Sequence, residues 1–316
     1  MKVGSLAIFL VFNLILFASK AQQGFAIGYY MLNPSYFNAA WLGVEEEAFA
    51  TAHYRSQWTG YEATVDNGGA PSTQMLSFGV PVRSVLSGLG ITVVNDRLGI
   101  QNNVQVRLAA SVSRSLGSGR LSFGIMPGFN VIGFDPGFRA ADDDDPFIPL
   151  AGVSETRPNL HAGLMYQTRR NVNIGISAEN IFEPSFDFGT DAQNELARLY
   201  SGFLVTDVGL LRDVILRPSI LARTDLTTMT FDMSALVIFE NRLWGGLSYK
   251  RGDALGVLFG YSFLADRSLS LGYSFDYIIQ NQEAKQSTSN EIYVRYNLPD
   301  LVLGGRKAVK TPRFTF

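Results

Sequence analysis

Apolar and polar residues alternate along most of this chain with a period of two. In the stretch VQVRLAASVS at 104–113, Val106 and Leu108 fall on one side of an extended strand. Gln105 and Arg107 fall on the other side. Side chains on a β-strand point to opposite faces in turn, so this strand has one apolar and one polar face. A helix would mix Arg107 and Leu108 on one stripe, which suits no core, so the stretch predicts a β-strand.

The same alternation returns in fourteen runs. Their predicted ranges are 48–58, 73–81, 87–96, 100–113, 119–133, 158–168, 171–180, 200–208, 213–223, 227–239, 243–251, 254–263, 268–277 and 288–298. Most have close to the ~9–11 residues that a tilted strand needs to cross a membrane. An even number of strands is typical of bacterial outer-membrane barrels. We therefore predict an all-β fold, a transmembrane antiparallel up-and-down β-barrel of about fourteen strands over 48–298.

Charged residues keep to one face of these runs. The opposite, apolar face of each run carries none. The charged and histidine side chains of the polar face are His53, Arg55, Arg107, His161, Glu179, Asp207, Arg217, Arg223, Asp232, Lys250, Asp276, Glu291 and Arg295. An Arg or Lys that faces lipid at mid-bilayer costs roughly 2–4 kcal/mol, whereas a polar lumen tolerates it. These residues are therefore expected inside the barrel, where opposite charges can pair.

Connection lengths follow a second pattern. The long connections are 59–72, 134–157, 181–199 and 278–287, and all are odd-numbered from the first strand. Even-numbered connections are short and lie at the other rim. Outer-membrane barrels have long loops outside and short turns in the periplasm, so we expect both chain ends in the periplasm. A soluble β-sandwich also alternates, but it needs neither a charge-free face on every strand nor this sorting of loops.

The two ends of the chain are predicted to lie outside the barrel. Residues 1–21 read as a signal peptide, with Lys2 before an apolar run and small residues before the expected cleavage site. Residues 22–47 are expected to form an irregular N-terminal periplasmic segment. Residues 299–316 are expected to form a C-terminal periplasmic tail, in which Pro312 argues against a long strand.

Composition excludes several classes of function. The formal net charge is −2 and no basic face is apparent, so nucleic acid is not an expected partner. Charged residues make up 17% of the chain, below the roughly 25% of soluble domains, which suits a protein whose partner is the lipid bilayer. There is no cysteine, which excludes disulfides and thiolate metal sites.

A search for enzyme chemistry finds no constellation of catalytic residues. The two histidines, His53 and His161, have no zinc-site spacing, and no G-x-S-x-G elbow is present. A histidine in the lumen that is paired with an acid could act as a general base. If so, the protein would be an outer-membrane hydrolase, which is an alternative hypothesis. We predict no catalytic residue and no cofactor, and the one candidate metal site is the run of aspartates described next. We therefore expect that the protein is not an enzyme.

Two long loops hold the residues expected to contact a partner. Asp142, Asp143, Asp144 and Asp145 are consecutive acids, which suits a calcium site, a contact for a basic partner or simply a solvated surface run. The D-x-D-x-D-G spacing of a calcium loop is absent. The predicted partner-contact residues are Asp135, Asp142, Asp145 and Phe147 in one loop and Phe186 and Asp187 in the other.

The end of the first strand carries a distinctive group of residues. By alternation Arg55 and Gln57 face the lumen, whereas Tyr54 and Trp58 face lipid. Trp58 is then expected to anchor the barrel at the membrane interface, where tryptophan is common. A substrate-binding role for Arg55 is the alternative.

Several sequence motifs are distinctive: YYMLNPSYFNAAWLG at 29–43 (with Asn33 and Pro34), YRSQWTG at 54–60, PSTQMLSFGVP at 71–81, the glycine-rich third strand that ends at Asn95 and Asp96 and is followed by Gly99, ISAENIFEP at 176–184 and TPRFTF at 311–316. These motifs resemble the PorP/SprF family of outer-membrane proteins of the type IX secretion system in Bacteroidetes-type bacteria. One departure is NAAW at 38–41, where the family usually has Asn-Pro-Ala-Tyr.

The resemblance implies a non-enzymatic role in the secretion and gliding machinery. The partners it implies are a secreted cargo protein with a C-terminal sorting domain and periplasmic or outer-membrane components of the type IX system. The protein would assist export or surface attachment of that cargo. A pore or small-solute transporter is the alternative, since fourteen strands enclose a lumen that conducts if no segment fills it.

Overall fold

The computed structural model describes residues 27–61, 69–135, 152–189, 194–280 and 286–304. Strands make up most of these residues, and the alternation described above accounts for nearly all of them. The strands are β1 (Ala48–Ser56), β2 (Ser72–Pro81), β3 (Gly88–Leu98), β4 (Gln101–Leu116), β5 (Gly119–Phe134), β6 (Ser154–Gln167), β7 (Val172–Glu179), β8 (Ser185–Phe186), β9 (Asn194–Glu195), β10 (Leu199–Thr206), β11 (Val208–Leu211), β12 (Val214–Thr224), β13 (Met229–Phe239), β14 (Leu243–Lys250), β15 (Ala254–Phe263), β16 (Leu269–Ile278) and β17 (Thr288–Leu298).

These strands form a closed barrel. Consecutive wall strands pair antiparallel, and β1 pairs with β17 to close the sheet. Strands β10 and β11 both pair with β12 and act as one wall strand, so the described residues contain fourteen wall strands. The predicted fold is confirmed. One detail is wrong: 209–212 was expected to be a connection, but Val208–Leu211 continue the wall.

The wall has an apolar outside and a polar inside. Along β15, Leu255, Val257 and Phe259 point outward and are about half exposed, whereas Leu258 and Ser262 point inward. Arg107 on β4 is only 3% exposed, inside the barrel. Closure leaves no open strand edge, which lipid could not satisfy with hydrogen bonds. No helix in the described ranges has the length and hydropathy of a membrane span.

Residues 27–44, which we call the lumen segment, lie inside the barrel. In the described chain they form three short 3-10 helices, η1 (Tyr30–Leu32), η2 (Pro34–Tyr36) and η3 (Ala39–Gly43). Nearly every residue of the segment is buried. The expectation that 22–47 forms a periplasmic segment is therefore wrong for the described residues up to 44, because the barrel wall provides both the space and the hydrogen-bond partners for them.

The two rims of the barrel differ. The even-numbered connections, from 82–87 to 264–268, form a short-turn rim. The opposite, long-loop rim holds four long connections, and one of them contains the small hairpin of β8 and β9. After β17, Leu303 hydrogen-bonds to Arg83 and Pro81, so the described start of the C-terminal tail lies at the short-turn rim. Residues 1–26 and 305–316, with the predicted signal peptide and most of the tail, lie outside the described residues.

Candidate functional site: the filled lumen

Glycines on the inward face of the wall make room for the lumen segment. A Cβ atom on Gly124 would lie 2.4 Å from the backbone of Ala39 and Ala40. A Cβ atom on Gly163 would lie 2.1 Å from Asn38 Oδ1, and one on Gly88 would lie 2.2 Å from the carbonyl oxygen of Leu42. Real side chains do not approach so closely, so the segment packs directly on bare strand backbone.

Side chains of the lumen segment bind the wall by hydrogen bonds to strand carbonyls. The Asn38 amide nitrogen donates to the carbonyls of Leu164 on β6 (3.0 Å) and Ile176 on β7 (2.9 Å). Across the lumen, the Tyr29 hydroxyl lies 2.9 Å from the carbonyl of Phe259 and 2.7 Å from that of Tyr273. These contacts tie one segment to opposite sides of the barrel.

A buried carboxylate holds the start of the described segment. Glu291 on β17 accepts a hydrogen bond from the Gly28 backbone N–H at 2.6 Å. Its other oxygen lies 3.2 Å from His53 Nδ1 on β1, and Arg55 Nη1 is 3.4 Å from the carboxylate. Because each buried charge faces an opposite charge or a donor, the cluster avoids the cost of an isolated ion.

The same cluster continues to the neighbouring strands. Arg55 Nη1 lies 2.8 Å from Asp276 Oδ2 on β16, and Lys250 Nζ on β14 lies 2.5 Å from the same oxygen. Arg55 therefore pairs with two carboxylates, and all of these side chains are at most 5% exposed. Arg55 is thus part of the internal charge balance.

A second charged cluster lies on the opposite wall. Arg107 Nη2 on β4 is 3.6 Å from Glu179 Oε2 on β7, and His161 Nδ1 on β6 is 3.5 Å from the same oxygen. The Tyr36 hydroxyl accepts from Arg107 at 3.3 Å, and the guanidinium group stacks 4.8 Å from the Tyr36 ring centroid. The lumen segment thus completes this cluster as well.

These clusters suit structural roles rather than catalysis. Both histidine–glutamate pairs are buried, with side chains at most 7% exposed. Within the described ranges, no group of three or more His, Asp or Glu side chains is placed to hold a metal ion. The arrangement fixes the segment and neutralises the charges of the wall.

Two adjoining cavities open between the lumen segment and the short-turn rim. They have volumes of about 470 and 510 Å³, and both are bounded by Met31, Trp41 and Val44 of the lumen segment. Their polar lining includes the paired Arg217 and Asp207, 2.6 Å apart. At the cavity edge, the Ser268 hydroxyl and N–H both donate to Asp266, which lowers the pKa of this carboxyl below its usual value.

The structure places the family-motif residues in different environments. Asn33 is fully buried and donates to Thr51 Oγ1 at 3.2 Å, and Pro34 begins η2. Tyr54 is 46% exposed on the outer face. Because β1 ends at Ser56, strand alternation does not extend to Gln57 and Trp58.

Trp58 sits in the turn that follows β1. Its φ of 51° is left-handed, and its backbone N–H donates to Ser289 Oγ at 3.0 Å. Its ring contacts Tyr61, with the ring centroids 6.3 Å apart. Its role as an interfacial anchor stays a prediction. Gln57 is held by its own N–H, which donates to the Pro71 carbonyl at 2.8 Å.

The predicted partner-contact residues are only partly described. Asp135 pairs with Arg97 at 3.1 Å, and Asp187 is exposed. Phe186 is 2% exposed and packs with Phe188 and Ile132, so a partner could reach it only after the loop moved. The calcium candidates Asp142, Asp143, Asp144 and Asp145, and with them Phe147, lie outside the described residues.

Sequence reasoning missed the lumen segment itself. The available signal was the placement of glycine at inward positions of several neighbouring strands, such as Gly124, Gly163 and Gly175. Glycine at an inward position contributes no side chain to the lumen. Several such glycines leave space inside a fourteen-stranded barrel for another segment of the chain. Asn33 and Asn38, which stand in a mostly apolar stretch of the sequence and are fully buried in the structure, were a second signal.

Solved structures with a similar fold are outer-membrane barrels. The Ralstonia pickettii toluene transporter TbuX aligns with a TM-score of 0.50 and 10% identity, over 88% of this chain and 96% of that chain. The TodX ΔS2S3 mutant, a monoaromatic hydrocarbon channel, aligns with a TM-score of 0.51 and 11% identity, over 86% and 94%. At such identities the likeness shows the fold alone.

Sequence comparison identifies the family. A search of curated proteins finds no significant match. The model of the family described as "Type IX secretion system membrane protein PorP/SprF" matches residues 19–296, which covers the lumen segment and nearly the whole barrel. The chain therefore belongs to the PorP/SprF family of type IX secretion system membrane proteins.

Proposed function

We propose that this protein is a non-enzymatic scaffold of the type IX secretion machinery that assists export or surface attachment of a partner secreted protein. Its family and fold are those of a secretion-system membrane barrel in the outer membrane, which is non-enzymatic in kind. The observation that carries the choice of a scaffold is the filled lumen. A barrel whose interior is occupied by its own residues 27–44 presents surfaces rather than a passage.

The two rims are assigned different partners in this proposal. The long-loop rim faces the cell exterior and meets cargo through the loops 134–157 and 181–199. The short-turn rim faces the periplasm and meets periplasmic secretion components. Support for this orientation comes from the sorting of connection lengths, since barrels of this kind place short turns in the periplasm.

A small-solute transporter is the second candidate. The cavities at the short-turn rim favour it, and the structurally similar TbuX is described as a toluene transporter. Those cavities are bounded by the lumen segment, however, and Asn38 and Tyr29 anchor that segment to opposite walls. Transport would require displacing it.

The test is to replace residues 136–151 with a short Gly-Ser linker that leaves β5 and β6 intact. We expect the barrel to fold and the surface proteome of the host to lose the dependent cargo. The matched control shortens the loop at 281–285 in the same way and is expected to leave export unchanged. Normal export and attachment in the first variant would contradict the proposal.

A further inference from the structure

Arginines surround the short-turn rim. Each of the six short connections contains or adjoins one that is exposed or half-buried: Arg83, Arg114, Arg169, Arg212, Arg242 and Arg267. Two of the connections carry a second, Arg120 and Arg170, and none carries a lysine. We call these eight residues the arginine collar. Asp213, Glu240 and Asp266 lie in the same stretches, and Glu46, Glu47 and Asp300 are exposed beside β1 and β17 at this rim. Eight arginines therefore face six carboxylates, and the rim keeps a small excess of positive charge.

Ion pairing distinguishes the collar from the opposite rim. At the long-loop rim, Arg97 pairs with Asp135, Arg157 with Glu155 and Arg198 with Glu183. In the described part of the chain, no carboxylate lies within 4 Å of a collar guanidinium group. Arg114 donates instead to the backbone carbonyls of Ser113 and Val85. The collar thus offers guanidinium groups that form no ion pair within the described residues.

Exposed apolar side chains accompany the collar. Val85 is 74% exposed beside Arg83, Leu211 is 73% exposed beside Arg212, and Leu264 is 53% exposed near Arg267. Apolar residues at the tip of a turn are unfavourable in water. They suit the boundary where acyl chains end, and a long basic side chain there reaches the headgroups.

We propose that the arginine collar binds the phosphate groups of anionic phospholipids in the leaflet around the short-turn rim. A guanidinium group forms two parallel hydrogen bonds to a phosphate, so arginine side chains at this rim suit phosphate as a partner. An acidic protein docked at the rim would also neutralise the arginines. It would not explain apolar residues at the turn tips on several sides of the barrel, so the lipid is favoured.

The experiment reconstitutes the full-length mature protein in bilayers of phosphatidylcholine and phosphatidylglycerol. Electron spin resonance of spin-labelled lipids gives the relative association of phosphatidylglycerol with the barrel. We expect a preference of roughly fivefold, the scale of one effective basic residue at a membrane surface. The variant R83Q/R114Q/R212Q/R267Q removes four of the eight arginines and is expected to lower the preference to about twofold. The control R97Q/R157Q/R198Q, at the long-loop rim, is expected to retain it.

Two further measurements separate misfolding of the variant, and binding of free phosphate, from loss of lipid binding. If the glutamine variant misfolds, the same four positions are changed to lysine, which keeps the charge and is expected to retain part of the preference. Inorganic phosphate is compared with sodium chloride at equal ionic strength, and a specific loss with phosphate would assign the collar to free phosphate. If the collar variant keeps the lipid preference unchanged, the proposal is overturned. This holds whether or not the variant also loses a co-purifying acidic protein.

Discussion

Single glycines decide whether the interior of this barrel can be filled. At Gly88, Gly124 and Gly163 the space of a missing Cβ is taken by backbone or by the Asn38 side chain. The requirement is close approach, since none of these three has a left-handed φ. The hydrogen bonds of Asn38 to two strand carbonyls depend on the same approach.

Replacing Gly124 with valine is expected to displace the lumen segment. The new side chain would overlap Ala39 and Ala40, and overpacking of this kind costs about 1–3 kcal/mol. The segment contains five aromatic residues, so chymotrypsin should cut it in the variant and leave it intact in the unmodified protein. Gly202→Val is the matched control, because its Cβ meets no atom within 4 Å. If the lumen segment resists chymotrypsin equally in both variants, the segment does not pack against Gly124 as we describe.

The side-chain environment of these residues was predictable only in part. Alternation placed Arg55 and Arg107 inside, because a charge in lipid is costly, and the structure has them there. Alternation does not apply at Gln57 and Trp58, since the chain turns after Ser56 and periodicity carries no information about a turn. The position of the lumen segment could not be predicted for a related reason. Its backbone is irregular, so its sequence has no periodicity that indicates which residues it packs against.

At the scale of elements, the wall strands were predictable because each must bury one face and expose the other. Predicted and observed ranges agree to a few residues, as for β15 and β17. The larger differences lie at the ends of strands, as for β4 and β6. β6 begins at Ser154, four residues before the expected start, because the long β5 provides a pairing partner there up to Gly133.

The small hairpin of β8 and β9 shows how a long loop is ordered by its own side chains. Phe186 stacks with Phe188, whose ring lies edge-on to Phe134 at the end of β5. Arg157 Nε donates to the Ser185 carbonyl at 2.7 Å. This cluster is separate from the lumen core, so the loop has a local stability of its own.

Truncating Phe186 to alanine is therefore expected to loosen the loop without unfolding the barrel. Loss of a buried phenylalanine costs about 3 kcal/mol in a full core, and the local cluster should lose most of its order at that cost. Limited proteolysis should then cut between residues 180 and 198, while the thermal unfolding of the barrel in detergent stays within experimental error. Phe182→Ala, at a side chain that is 59% exposed, is the control. A barrel that unfolds at lower temperature in the Phe186 variant would show that the cluster supports the wall.

At the scale of the whole molecule, the barrel and its lumen segment form one unit. The segment contacts β1 through Asn33, β4 through Tyr36 and β16 through Tyr29, and it completes both charged clusters. Removing it would expose buried ions on several strands at once. The barrel and the lumen segment therefore form one rigid body with two different rims. A scaffold requires such rigidity, whereas a pore does not.

A disulfide between the lumen segment and the wall tests this rigidity directly. A Cβ atom on Gly43 would lie 3.3 Å from Ser122 Cβ, close to the spacing of a disulfide, and the chain has no cysteine to compete. We expect the oxidised G43C/S122C protein to match the unmodified one in two measurements: no steady current in planar bilayers, and normal export of surface proteins in the host. The single-cysteine variants and the reduced double variant are the controls. Export that stops on oxidation and returns on reduction would mean that the segment moves during secretion, and the lumen would then be a passage after all.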